Sequence, residues 1–392
     1  MISHATSATT EQPTVCISQI RPVLTSSDST VPEDVVATVL QALHNTLRAD
    51  DQIHCLADGK FCLTLHNLKG ANHAKLAAAK FHRLTQSLTD NRYAMHTGLA
   101  SAQVLATYDP ESLQQWADIA CREAIQADHY GVVADTTLID RYSQRLQLGD
   151  DLNQAMLQHD LVLFYQPQLD QEGCVSGFEG LVRWQKDQLL SPNSFVPDLK
   201  PAELYALSRY TARQLIRDLA AMQWLPALSL NLDPAVLDDA LLQFILDELA
   251  LWQVEPHRLT IEITEAGLVH NYDNTVALLA KARQHGILVA IDDFGTGYSS
   301  LQHFKQLPID ELKIDMVFVR NLMTDEHNQY LCRMMIDLAH RFDHHVVAEG
   351  VEDQWTADWL FANGCDLLQG YYFSPPLPKD CLAPLLNLQT DA

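Results

Sequence analysis

Acidic side chains recur at the ends of short apolar runs in the second half of this 392-residue chain. Glu179 follows Gly177-Phe178. Glu262 lies in Thr260-Ile261-Glu262-Ile263-Thr264-Glu265, Asp292 and Asp293 precede Phe294-Gly295-Thr296-Gly297, and Glu349 precedes Gly350. Asn231, Arg183, Lys313 and Gln369 occupy comparable places in runs of their own. If these runs converge, up to five carboxylates share one mouth, and they cannot all stay ionised without compensating cations. Oxygen ligands without Cys or His suit a hard ion, Mg²⁺ or Mn²⁺. Five carboxylates exceed the needs of one ion and point to two divalent cations sharing a bridging Asp. That arrangement serves in-line displacement at phosphorus. Any one of these acids could simply cap a helix or pair with a surface Lys. Recurrence at the ends of most strands argues against that for the set, because barrel enzymes place their chemistry there.

The runs themselves read as strands over 163–168, 177–183, 228–232, 259–264, 288–292, 311–315, 346–349 and 367–373. Helices separate most of them, for example 274–285, closed by Gly286, and 325–342. Eight strands over this length match a (β/α)₈ TIM-like barrel. Too little chain lies between the first two for a helix, so they form an antiparallel hairpin. Period-two alternation turns Ile261 and Ile263 towards the helices and Glu262 into the barrel, and likewise turns Lys313 inward. Two adjacent Asp serve one centre only where a strand breaks into a loop, and Gly295 and Gly297 supply the break.

The first half has a different texture, a smaller α+β unit over 13–146. Strands are expected at 15–20 and 94–100, helices at 35–47, 74–88 and 113–126. Asp58-Gly59 between two apolar runs signals a hairpin. Residues 1–12 read as a disordered tail, 147–159 as a linker containing a helix over 150–159, and 160–392 as the barrel domain. The apolar fraction of 47% supports sizeable cores, and the net charge of −24 repels nucleic-acid polymers and anionic lipid. No apolar run approaches the roughly 20 residues of a membrane span, and the Ser/Thr-rich start lacks a secretory pattern. A cytoplasmic protein is therefore expected. The eight Cys form no CxxC pair and read as buried free thiols. His340, His344 and His345 lack the partner motif of a metal site.

Residues 161–378 resemble the EAL domain family, which hydrolyses cyclic di-GMP to linear pGpG. The signature tripeptide appears as Glu179-Gly180-Leu181, with Gly180 in place of Ala. Asp292 to Leu301, Leu312-Lys313-Ile314-Asp315, Ala348-Glu349-Gly350-Val351-Glu352 and Gln369-Gly370-Tyr371 match further motifs in order. The resemblance implies that Glu179, Asn231, Glu262 and Asp292 hold one metal, and Asp292, Asp293 and Glu349 a second. It implies that Lys313 and Gln369 position the nucleophilic water, Arg183 binds a phosphate oxygen, and Gln166 and Leu181 line the substrate. Glu265 resembles the residue that anchors the loop after strand five and couples it to a homodimer interface. The first half more weakly resembles a GGDEF domain, the cyclase partner of EAL domains. Gly59 and Lys60 stand where its acids belong, so cyclase activity is expected to be absent. Arg48 and Asp51 fall where that family has an inhibitory nucleotide site; an ordinary Arg–Asp pair ending a helix is the alternative. For the whole chain, an inactive cyclic di-GMP receptor signalling to a protein partner is the alternative to a phosphodiesterase.

Overall fold

The structure, a computed structural model, describes residues 13–23, 31–57, 59–68, 70–105, 109–270, 272–296 and 304–387. The chain divides into two compact units, 1–146 and 147–392.

In the first unit β1 (Thr14–Pro22), α1 (Glu33–Thr46), β2 (Gln52–Ala57), β3 (Lys60–Leu65), α2 (Ala71–Leu88), β4 (Tyr93–Ser101), α3 (Ala102–Leu105), α4 (Pro110–Gln126) and β5 (Gly131–Val133) follow in order. The sheet runs β2-β3-β1-β4-β5, antiparallel except for β4–β5. Alternation along β1 explains its two cores. Cys16 and Ile20 join Phe61, Leu63 and Met95 on one face, while Val15 and Ile17 join Leu113 and Ala117 on the other. α4 starts where Asp109 accepts from the Ser112 N–H, with Pro110 beside it. It lies so close to β4 that a Cβ on Gly98 would stand 2.0 Å from the Ala117 carbonyl oxygen. The expected hairpin is present as β2–β3, with Gly59 at φ +73°; Asp58 lies outside the described residues, as does the expected tail 1–12.

α5 (Thr136–Gln158) is longer than the linker helix expected at 150–159. Asp135 accepts from the Leu138 N–H at its start, and Leu138 and Tyr142 already have apolar neighbours to bury against. Leu138, Tyr142 and Leu146 recur at four-residue spacing, a helical signal that the expected boundary at 150 passes over.

The second unit continues with β6 (Leu161–Leu169), β7 (Val175–Gln185), β8 (Leu189–Leu190), α6 (Pro201–Ala221), β9 (Leu228–Asn231), α7 (Asp239–Trp252), β10 (Leu259–Thr264), α8 (Tyr272–Gln284) and β11 (Leu288–Phe294). Then come β12 (Glu311–Ile314), α9 (Met316–Val319), α10 (Glu326–Arg341), β13 (His345–Ala348), α11 (Gln354–Ala362), β14 (Leu367–Leu368), β15 (Leu377–Pro378) and α12 (Ala383–Asn387). Strands β6-β7-β9-β10-β11-β12-β13-β14 close into an eight-stranded TIM-like barrel, since β6 pairs with both β7 and β14. β6 is antiparallel to both neighbours and the remaining pairs are parallel. Leu259, Ile261 and Ile263 bury outward against the helices, which leaves Thr260 and Glu262 facing the lumen.

The eighth strand is two residues long, against an expected run over 367–373. Gly370 explains the stop. A Cβ there would fall 2.0 Å from the Val351 carbonyl oxygen, so the backbone turns across a neighbouring loop instead of extending. The thiols also depart from expectation: Cys16, Cys121, Cys332 and Cys365 are buried, but Cys55 and Cys381 are exposed. Among the described residues no helix is long and apolar enough to cross a membrane.

Candidate active site

Each parallel strand delivers at least one polar side chain to the same end of the barrel. Lys313, fully buried on β12, is the hub. Its Nζ lies 2.6 Å from Glu262 Oε2 on β10 and 2.6 Å from Glu349 Oε1 just past β13. Asp292 Oδ1 on β11 is 3.4 Å away and Glu179 Oε2 on β7 is 3.6 Å away. Asn231 ends β9 and donates from Nδ2 to Glu179 Oε1 at 2.6 Å. Asp292, Asp293 and Glu349 each offer an oxygen within 4.8 Å of the others.

The neighbouring aspartates reach one centre through a change of backbone handedness. Asp293 itself adopts φ +54°, and Gly295 follows at +97°. The β11–β12 register slips between Ile291 and Phe294. The break expected from the glycines thus begins one residue into the acidic pair. Gly297 and the motif to Leu301 lie outside the described residues. Glu265, nearly fully buried, accepts from the Gly295 N–H through Oε2 at 2.8 Å, and its own N–H donates to the Asp292 carbonyl. One residue, through its carboxylate and its own backbone N–H, therefore clamps both sides of the acidic turn.

Gln369 follows β14 and donates to Glu179 Oε2 at 2.5 Å and to Gln166 Oε1 at 3.2 Å. Gln168 Nε2 donates to Gln369 Oε1 at 3.1 Å, and Gln166 Nε2 to the Ser374 carbonyl. This buried amide network fixes the orientation of Glu179. Leu181 lines the 370 Å³ cavity over the acids, together with Glu179, Asn231, Glu262, Asp292 and Asp293. Arg183 stands half-buried above, its guanidinium 5.9 Å from the Phe164 ring centre and Nη1 donating to the Val182 carbonyl. A larger recess of 690 Å³ beside β6 gathers no comparable set of acids.

Two members of this environment were not singled out in the sequence. Gln168 shares the face of Gln166, two residues on along β6, a parity that could have found it. Asp315 caps α9 through the Val317 N–H, and its carboxyl helps to raise that of Asp293. Its place at the end of the Leu312-Lys313-Ile314-Asp315 motif was the available signal.

Burial and mutual repulsion set the protonation of the group. Burial pushes Glu262 well above the carboxylate range, Lys313 pulling only partly against it. Burial, then the charge of Asp292, pushes Asp293 up to about 7. Burial likewise raises Glu349 to about 8. Glu179 goes the other way: burial opposes its charge, but Lys313, Gln369 and Asn231 together hold it below the usual range. Burial disfavours the Lys313 ammonium, yet the four surrounding carboxylates hold its pKa well above the usual range. Glu262 Oε1 is buried with no hydrogen-bond partner. An orphaned carboxylate oxygen, beside acids that a single ammonium cannot neutralise, fits a hard divalent cation.

The histidines at the end of α10 are engaged elsewhere. His340 Nε2 lies 2.8 Å from Asp366 Oδ2, and His344 packs against Phe304 and Phe342. In the first unit, Asp51 accepts the N–H groups of Arg48 and His66, so its carboxylate closes a turn in the backbone. Lys60 forms an ion pair with Asp118.

Three comparisons bear on this geometry. The EAL domain family model matches residues 150–376. The bifunctional diguanylate cyclase/cyclic di-GMP phosphodiesterase MucR of Pseudomonas aeruginosa is 29% identical over 88% of this chain and 52% of its own length. The cyclic di-GMP phosphodiesterase NbdA of the same organism is 35% identical over 64% of this chain and 33% of its own. The chain thus spans about half or less of these curated relatives. Among solved structures, the PaMucR phosphodiesterase in complex with c-di-GMP is 31% identical with a TM-score of 0.57, covering 60% of this chain and 99% of that one. An EAL domain protein from Listeria monocytogenes EGD-e is 32% identical with a TM-score of 0.53, covering 60% and 96%. With more than half of its length matched by that model, this chain belongs to the EAL domain family.

Proposed function

We propose that the protein is a phosphodiesterase that opens cyclic di-GMP to linear pGpG with the help of two divalent cations, Mg²⁺ or Mn²⁺. The observation that carries this reading is the set of four carboxylates around one buried lysine, with Asp293 beside two of them and Glu262 Oε1 left unsatisfied. The names of MucR, NbdA and the PaMucR complex support the substrate. In this reading Glu179, Asn231, Glu262 and Asp292 hold one cation, and Asp292, Asp293 and Glu349 the other. Bound there, the cations supply Lewis-acid stabilisation of charge at phosphorus and acidify a water. Lys313 and Gln369 orient that water. Arg183 steadies a phosphate oxygen, Gln166 and Leu181 flank the substrate, and Glu265 holds the acidic turn in register.

The first unit is, in this reading, a GGDEF-like domain that has lost synthesis. Its support is the alignment with bifunctional MucR, which reaches 88% of this chain, and the Lys60–Asp118 pair where a metal-binding acid is expected. A homodimer through the barrel domain is supported by apolar side chains left exposed on α10 and beside it: Tyr330 at 70%, Met334 at 47% and Val317 at 62%. The test is incubation of the purified chain with cyclic di-GMP and Mg²⁺ or Mn²⁺, followed by separation of products. Formation of pGpG that stops in excess chelator supports the reading. Absent product, or full turnover in chelator, refutes it.

A further inference from the structure

Glu179 faces the lumen from β7, so the next residue, Gly180, has its missing side chain directed outward at α6. Its φ is not in the left-handed region, so backbone conformation does not require glycine here. Space does. A Cβ on Gly180 would lie 2.6 Å from Leu215 Cδ1 of α6 and 3.1 Å from the Ser229 carbonyl oxygen of β9. Leu215 is fully buried in the same core as Phe178, Leu228 and Leu230, and a close-packed interior resists a swing of its side chain. The other short contact involves backbone. Ser229 is the register partner of Glu179, and Asn231, two residues on, donates to Glu179 Oε1. A methyl group on β7 therefore presses at once on α6 and on the strand that orients Glu179.

We infer that Leu215 is a positioning residue for Glu179. Its δ-methyl fills, from the helix side, the volume that a side chain on Gly180 would fill from the strand side, and this matched pair sets the β7–β9 spacing at the acids. The inference rests on the proposed role of Glu179 in holding a cation. It implies that the signature alanine cannot be restored here alone.

The test is a double-mutant series in the full chain, read by Mn²⁺ titration and by the separate kcat and KM for cyclic di-GMP. Gly180→Ala is expected to weaken Mn²⁺ binding and lower kcat by about tenfold or more, with KM moving less than about threefold, because the misplaced group serves the metals and not the nucleotide rings. Leu215→Val removes both δ-carbons. In the Gly180→Ala background it is expected to recover most of the loss. A Gly180→Ala variant that matches the parent, or a double variant no better than Gly180→Ala, overturns the inference. Should Gly180→Ala fail to fold, the double variant decides: parental Mn²⁺ affinity supports the pairing, weak or absent binding refutes it. If the parent binds Mn²⁺ but produces no pGpG, the phosphodiesterase reading falls while the Mn²⁺ series still judges the pairing.

Discussion

Mn²⁺ added to the metal-free protein at neutral pH should expel protons, in a number fixed by the acids around Lys313. Asp293 titrates at about 7 and Glu349 at about 8, both raised chiefly by burial. At pH 7 about half of Asp293 and about nine-tenths of Glu349 carry a proton, so a cation that takes both as carboxylates releases ~1.4 protons. Glu262, also pushed up by burial, adds to this where it ligates. Protons compete with the metal, so apparent affinity falls with acid and rises with base. The two groups alone give a gain of ~500-fold between pH 6 and pH 8. Calorimetric titration in buffers of different ionisation enthalpy reads the proton count, and the same titrations across pH read the slope. Glu349→Gln should lower the count at pH 7 to ~0.5, because the more strongly protonated of the two acids is gone. Release below ~0.5 proton by the parent, or an affinity indifferent to pH, would show that the acids are not the ligands or are not held protonated.

Glu179→Gln should abolish turnover of cyclic di-GMP. It trades relief of carboxylate repulsion for an amide donor facing Asn231 Nδ2 or Gln369 Nε2, a cost of ~1–2 kcal/mol in thermal unfolding; retained turnover would remove Glu179 from the ligand set. Glu265→Ala deletes the acceptor of the Gly295 N–H and should cut kcat more than tenfold while the Kd for cyclic di-GMP holds within a few-fold. An unchanged kcat refutes the clamp. The chain given GTP and Mg²⁺ should form no cyclic di-GMP, and product in a nucleotide assay contradicts the reading of Gly59 and Lys60. Light scattering at micromolar concentration should report a dimer, and Tyr330→Glu should shift it towards monomer; a parent that is monomeric throughout sinks the proposed interface.

Glu262 and Lys313 were legible because regular strands obey a two-residue period, and apolar Ile261, Ile263, Leu312 and Ile314 fix which face is which. The antiparallel start of the barrel was legible from the short connection between its first two strands. Asp293 was harder. Its convergence with Asp292 depends on a left-handed backbone at Asp293 itself, and aspartate adopts that region too seldom for a sequence to announce it. Gln369 was read as part of a strand that stops before it, because the approach of Gly370 to Val351 is a tertiary contact with no local signature. Gln168 and Asp315 escaped for a related reason. Their polarity is ordinary for a strand face and a helix cap, and only the fold brings them to Gln369 and Asp293.

The reversed direction of β6 has a mechanical consequence. In a barrel whose strands all run one way, the chain joins at the floor, opposite the mouth. Here Leu161 pairs with Trp184 at the far end of β7, so the chain joins at the rim. The last turns of α5 are bolted there: Leu152 and Ala155 pack with Leu161, Trp184 and Phe195, and Asp151 holds Lys186 at 2.7 Å. A tug on residue 147 is therefore delivered at the rim, to the ribbon that bears Arg183 and to α6 through Leu207.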